Sequence, residues 1–252
     1  MADPRTTAMQ VKAPIGRFGG GFMVSREAKA VCEEYGLGAR ELYFRGRCGV
    51  LGECDADVVN SVVVFFPPEH VQKSWDAGRE KLTAERAVEL YAEVCRAWGR
   101  RKLGAHDGCA RIAELLERVV ERAPSAGAPL FAGWRSVPLA DDPPARATQL
   151  MHVVRELRGG LHANAVIAAG LHPLEATLAT VHDGTPFGHA TGEAIARFFN
   201  WPEPYAAPGP DVVSRRAAVE EATDDLMTPV FSALDNSESE ELIGLLRFGH
   251  VR

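Results

Sequence analysis

No window of this chain approaches 18 consecutive apolar residues, and its opening, MADPRTTAMQVKAPIGRFGGG, carries no apolar core segment of the kind a secretory signal needs. Neither a membrane span nor an export signal is expected, and the cytoplasm is the expected compartment. Cysteine is scarce and odd in number. Cys32, Cys48, Cys54, Cys95 and Cys109 are scattered over 252 residues, which argues against a disulfide framework. Cys48 and Cys54 are the closest pair, but their five-residue gap and the lack of a neighbouring histidine cluster do not make a zinc spacing, so they read as small apolar fillers. No HExxH, CxxC or GxSxG motif is present, which removes the common signatures of zinc and serine hydrolases. Lysine is nearly missing too, with five against 23 arginines and none after Lys102.

What is there is the composition of an ordinary soluble globular protein, 46% hydrophobic and 25% charged, on a chain long enough for one large domain or two modest ones. Charge is unevenly placed. Residues 186–252 hold 5 arginines against 11 acidic residues, a balance of −6, while residues 1–185 hold 23 of each sign and cancel. An acidic C-terminal quarter repels a phosphate backbone, whose neutralisation supplies most non-specific DNA affinity.

Along the chain the periodicity is that of helices. After a Gly-rich start, read as a flexible segment over residues 1–24, VSREAKAVCEEYGLG predicts a helix with Ser25 as N-cap and a glycine at its end. ELYFRGRCGVLG reads as a turn, and DADVVNSVVVFF as a helix broken by Pro67 and Pro68. TAERAVELYAEVCRAWGRR and DGCARIAELLERVVERA repeat apolar residues at three- and four-residue spacing and predict amphipathic helices. APSAGAP then reads as a linker, dividing an N-terminal helical domain (25–123) from a C-terminal one (129–252). Further helices are predicted over 145–169, PLEATLATV, ATGEAIARFFNW, DVVSRRAAVEEATDDLMTPVFSAL and SESEELIGLLRFG. Little strand is predicted anywhere, so the expected fold is all-α.

The helix predicted over 145–169 carries the chemistry. At about 100° per residue, Leu150, Val154, Leu157, Leu161, Ala165 and Ala168 make one core stripe. Met151, Arg155, Arg158, His162 and Val166 share a neighbouring face roughly 80–160° from Leu150, with Glu156 well around the other side. Apolar residues above and below these charges imply that the face is covered, and covered arginines need partners. Three readings stay open: a structural ion pair with a carboxylate from another helix; an anion or carbonyl site in which Arg158 forks onto a ligand oxygen and His162 moves a proton; and a metal or haem site at His162. His172 and His182 are not at helical metal-ligand spacing from His162 and sit at predicted helix ends. No metal or cofactor is expected, haem being the one alternative.

These segments resemble a group of actinobacterial helix-turn-helix proteins similar to MarR-like winged-helix regulators. The resemblance rests on YFRGRCGVLG followed by ADVV and FFPPEHV, then LFAGW, RELRGGLHANAVIAAGLHPLEA and AAVEEATDDL, in that order over most of residues 35–228. Such proteins tend to carry Arg-Gly-Asp before the matching histidine where this chain has Arg158-Gly159-Gly160. They also tend to have aromatic and amide side chains where this chain has Val63, Val64 and Phe65, which implies a more apolar pocket here. In a winged-helix reading a recognition helix and a β-wing should follow ATGEAIARFFNW. Instead Pro202, Pro204, Pro208 and Pro210 fall within nine residues, and proline costs about 3 kcal/mol inside a helix. The C-terminal part is therefore read as a degenerate winged helix that has lost its recognition element.

The expectation is an all-α, small-molecule-binding protein, an enzyme of specialised metabolism doing cofactor-independent acid–base chemistry (isomerase, lyase or cyclase type). His162 and Arg158 would be catalytic and Arg155 ligand-binding, and the resemblance implies Arg47 and Tyr43 as further ligand-binding residues. A ligand-responsive MarR-like regulator and a non-catalytic sequestering protein are the alternatives. The expected partners are a small-molecule ligand and, as an open option, a second copy of the chain, with neither nucleic acid nor membrane.

Overall fold

The computed structural model describes residues 2–180 and 190–247. Its helices are α1 (Pro4–Gly20), α2 (Arg26–Tyr35), α3 (Ala39–Cys48), α4 (Ala56–Asn60), α5 (Pro68–Arg79), α6 (Ala84–Leu103), α7 (Cys109–Arg122), α8 (Pro129–Trp134), α9 (Pro143–Ala168), α10 (Pro173–Leu178), α11 (Gly192–Phe198), α12 (Pro210–Phe231) and α13 (Asn236–Leu245), with single 3-10 turns at Gly21–Val24 and Gly49–Leu51. No strand occurs among the described residues, so the fold is all-α as the periodicity predicts. None of these helices is long and apolar enough to cross a membrane.

Helix α9 is the axis of the molecule. Asp142 caps it by accepting from the Ala145 amide, and two prolines occupy its first turn, where the missing N–H is not needed. Helices α1, α6, α7, α8 and α12 all pack on it. Over residues 147–154 every side chain is buried, so the helix has no solvent face there, and the single core stripe read from the sequence captures only part of its packing. Gly19 shows how tightly α1 is laid down: a Cβ at that position would stand 2.5 Å from the Met151 carbonyl oxygen.

Four expectations change. Residues 4–20, read as part of a flexible start, are a helix. Asp3 caps it, accepting from the Thr6 amide, Pro4 opens it, and it buries Val11, Ile15 and Phe18. The segment read as a turn after Gly38 is α3, whose Gly46 lets the Tyr91 ring approach to where a Cβ would be only 2.6 Å away. The helix predicted over 55–66 ends at Asn60, and residues 61–66 run on without one. The linker at 123–129 does not divide two cores, because one cluster of buried apolar side chains extends from Ala2 to Leu246. Between α11 and α12, residues 199–209 contain no helix, in keeping with their prolines.

Candidate functional site

Helices α1, α3 and α9, the segment 62–66, the end of α11 and the middle of α12 enclose a cavity of about 620 Å³. Tyr43, Arg47, Arg155, Arg158 and His162, the five residues singled out from the sequence, all line it. Its apolar wall is Ile15, Met23, Val62, Val63 and the rings of Phe65, Phe66, Phe198 and Phe199. Lys12, Arg40 and Glu220 complete the charged side.

Behind the cavity lies a carboxylate that the angular reading of α9 put out of play. The Glu156 side chain is fully buried, and Arg47 grips it with two hydrogen bonds, Nε to Oε1 at 2.9 Å and Nη2 to Oε2 at 2.7 Å. Arg155 Nη1 donates to Oε1 at 2.8 Å. Burial pushes the Glu156 carboxyl up, but Arg47, Arg155 and His152 together hold it down at about 2. Arg47 reaches onward to the Tyr43 hydroxyl at 2.7 Å, and its carbonyl accepts from the Trp134 indole at 2.8 Å. A bidentate, charge-assisted pair of this kind locks α3 to α9 and sets the direction of Arg47.

A second network comes from α12. Glu220 accepts from Arg158 at 2.7 Å and pairs with Arg216 at 2.8 Å. Asp224 lies 3.6 Å from Arg158 and 3.1 Å from Lys12. His162 packs its ring on Phe65, with centroids 5.6 Å apart and planes at 26°, and its Nδ1 is 3.0 Å from Thr223 Oγ1. Thr223 has one hydroxyl proton, and its shorter bond, 2.7 Å, goes to the Val219 carbonyl. That leaves Thr223 Oγ1 as acceptor, makes His162 Nδ1 the donor, and assigns the lone pair to Nε2, 4.0 Å from Glu220. Burial depresses the His162 pKa, Glu220 opposes, and Arg216 and Arg158 push the same way as burial, leaving it at about 3. The imidazole is neutral at physiological pH.

The ion pairs expected under the structural reading are therefore present, and Arg47, Arg155, Arg158 and Glu220 bring them to the cavity wall. His172 does something else: its Nδ1 caps α10 by accepting from the Leu174 amide at 3.2 Å, and its ring meets Trp201 edge-on. His182 lies outside the described residues. Among the described residues no group of three or more His, Cys, Asp or Glu side chains could hold a metal ion. Sequence reasoning missed Lys12, Arg40, Glu156 and Glu220. Arg40, Tyr43 and Arg47 follow helical spacing and would have fallen on one face had their segment been read as a helix.

An all-helical scaffold built around a chamber with a cationic side and an aromatic side is the class that fold and site define. The profile of a family described as a helix-turn-helix family matches residues 8–248, and the chain belongs to that family. No match to a curated protein or to a solved structure accompanies it.

The buried imidazoles make stability depend on pH. His152, with Nδ1 donating to the Gly19 carbonyl at 3.1 Å, is pushed down to about 4 by burial, as His162 is to about 3. Each is neutral in the folded state while its unfolded counterpart protonates near 6.5. Their contribution is therefore complete above pH 6.5 and falls as pH drops through the window toward 4, by about 1.4 kcal/mol per pH unit for each histidine. The depressed carboxylates act lower, between 4.5 and about 2. Urea unfolding between pH 6.5 and 4.5 should show His162→Gln losing one proton from the pH slope, and an unchanged slope would mean that His162 is not buried neutral.

Proposed function

We propose that this chain is a small-molecule-binding protein and that its chamber is the ligand site. The observation that carries the reading is a pair of glycines. Gly16 in α1 and Gly159 in α9 both line the cavity, and a Cβ built on either meets no atom within 4 Å. A glycine inside a helix costs about 0.5–1 kcal/mol relative to alanine. At Gly19 and Gly46 close packing accounts for that cost; at Gly16 and Gly159 it does not, and what the two missing side chains leave is open space in the chamber. Gly244 is equally unhindered but sits exposed in the last turn of α13. The cavity volume falls within the roughly 300–1,000 Å³ typical of sites for organic ligands, and a mostly apolar lining with a few convergent polar groups is their usual character.

The chemistry of His162 favours binding over proton transfer. General acid–base catalysis works best when the group titrates near the working pH, and an imidazole held at about 3 is a poor base at neutrality. Its Nε2 lone pair is a hydrogen-bond acceptor for a ligand hydroxyl or amide. An isomerase, lyase or cyclase of specialised metabolism would need a ligand anion beside His162 to raise it by several units, with Arg158 steadying the developing charge.

The family description favours a second reading, a ligand-responsive transcription regulator of the MarR-like kind. Major-groove readout needs a helix or a two-stranded ribbon at the contact. Residues 199–209 supply neither, and the acidic balance of residues 186–252 opposes phosphate contact. We therefore read the chamber as receiving a ligand that this chain does not report to DNA.

Three measurements test this. Gly159→Ala should raise unfolding stability by about 0.5–1 kcal/mol, whereas Gly159→Phe, which fills the chamber, should abolish binding of apolar fluorescent probes while the helical circular dichroism is kept. Unchanged probe binding by Gly159→Phe would remove the chamber as the site. In gel retardation at about 50 mM salt the protein should leave duplex DNA unshifted, and a salt-sensitive shift would restore the regulator reading.

A further inference from the structure

Among the described residues, charge around the chamber does not balance. Lys12, Arg40, Arg47, Arg155 and Arg158 line it, and the carboxylates that engage these cations are Glu156, Glu220 and Asp224, with Glu220 also shared by Arg216. Among the described residues, six guanidinium or ammonium groups thus face three carboxylates. Four of the five lining cations are committed: Arg47 and Arg155 to Glu156, Arg158 to Glu220, Lys12 to Asp224. Arg40 is the exception. Among the described residues no carboxylate bears on it, Tyr43 being the titratable neighbour that does.

The surroundings of Arg40 are aromatic. Its guanidinium carbon lies 4.3 Å from the Phe198 ring centroid, 5.3 Å from that of Phe66 and 5.8 Å from that of Tyr43, and one Nη donates to the Phe198 carbonyl. A guanidinium has five N–H donors in a fixed fork, so most of the donors of Arg40 remain for something else. Aromatic faces steady the cation without neutralising it, because they offer a quadrupole and no acceptor oxygen for the fork. Partial burial meanwhile lowers its pKa, the mark of a cation that has given up water without gaining a carboxylate.

We infer that Arg40 is the anion-receiving residue of the chamber and that the ligand is an aromatic or similarly flat apolar monoanion, a carboxylate, phenolate or enolate. The anionic oxygen sits on the Arg40 fork, and the apolar body lies among Phe65, Phe66 and Phe199. Arg155 and Arg158, to which the sequence pointed, are held by their own carboxylates and shape the wall and its positive potential. This rests on the chamber being the ligand site, and the test separates the two claims.

The probes are anilinonaphthalene sulfonate and its neutral parent phenylnaphthylamine, which share one ring system and differ by the anionic group. At about 0.15 M salt the wild-type protein should bind the sulfonate roughly tenfold to hundredfold more tightly than the neutral probe, the worth of a charge-assisted hydrogen-bonded contact. Arg40→Met should lose that preference and still bind the neutral probe within about twofold, which also reports that its chamber is intact. Gly159→Phe should lose both probes. If the wild type binds both equally, or if Arg40→Met keeps the preference, Arg40 is not the anion site, although the chamber remains a ligand site. If the wild type binds neither, or Gly159→Phe keeps both, the chamber reading falls and this inference falls with it. Should Arg40→Met fail to fold, the wild-type preference and its loss on raising the salt still decide, because a preference that is absent or insensitive to salt overturns the inference.

Discussion

One fully buried carboxylate sets the geometry of this protein. Taking Glu156 out of water costs several kcal/mol, and that cost is met only because Arg47 binds it in a two-point fork while Arg155 adds a third hydrogen bond. The carboxylate belongs to α9 and the fork to α3, so the pair fixes how these helices face one another. Everything Arg47 touches follows from that constraint. Its third nitrogen positions Tyr43, and its carbonyl receives Trp134 from α8, which in turn packs against His152 at 4.6 Å between ring centroids. The chamber lies where these two helices are held apart by charged side chains and not closed by apolar ones.

The opposite wall has the same logic with looser parts. Glu220 from α12 serves Arg158 and Arg216 and lies near His162, and it is about one-third exposed where Glu156 is sealed. A partly hydrated network can rearrange at lower cost than a dry one. Ligand entry is therefore expected to adjust the α12 side and to leave the α3–α9 pair in place. Neutral His162, stacked on Phe65, extends the aromatic wall and adds one acceptor nitrogen to it. The chamber has a rigid cationic floor, an aromatic roof and an adjustable side.

Much of this was legible in the sequence. The length and type of α9 follow from its proline-led start and helical period, and the shared face of Arg155, Arg158 and His162 follows from turning about 100° per residue. Glu156 was not legible by the same arithmetic. Pointing away from a charged face means solvent only if the helix has a solvent side there, and around Glu156, from residue 147 to 157, α9 has almost none. Helix α3 was hidden by Gly46 and Gly49, which read as turn residues but serve the close approach of Tyr91 and of Ala84 with Val88. Helix α1 was hidden in the same way by Gly16 and the run Gly19–Gly21, even though Asp3, Pro4 and the spacing of Val11, Ile15 and Phe18 are ordinary helix signals. Glycine marks turns through its backbone freedom and helix contacts through its small size, and a single sequence does not distinguish the two. Arg40 went unseen because having no carboxylate partner among the described residues is a property of the assembled chamber.

The dependence of the chamber on Glu156 can be measured directly. Glu156→Gln keeps the shape and removes the charge, leaving Arg47 buried without a counter-ion. Urea unfolding at pH 7 should show a loss of about 3–5 kcal/mol, the usual cost of breaking a buried pair from one side, together with weakened binding of the neutral probe phenylnaphthylamine, which reports the shape of the chamber and not its charge, in the variant that remains folded. A Glu156→Gln protein as stable as the wild type, with its probe binding unchanged, would contradict the account.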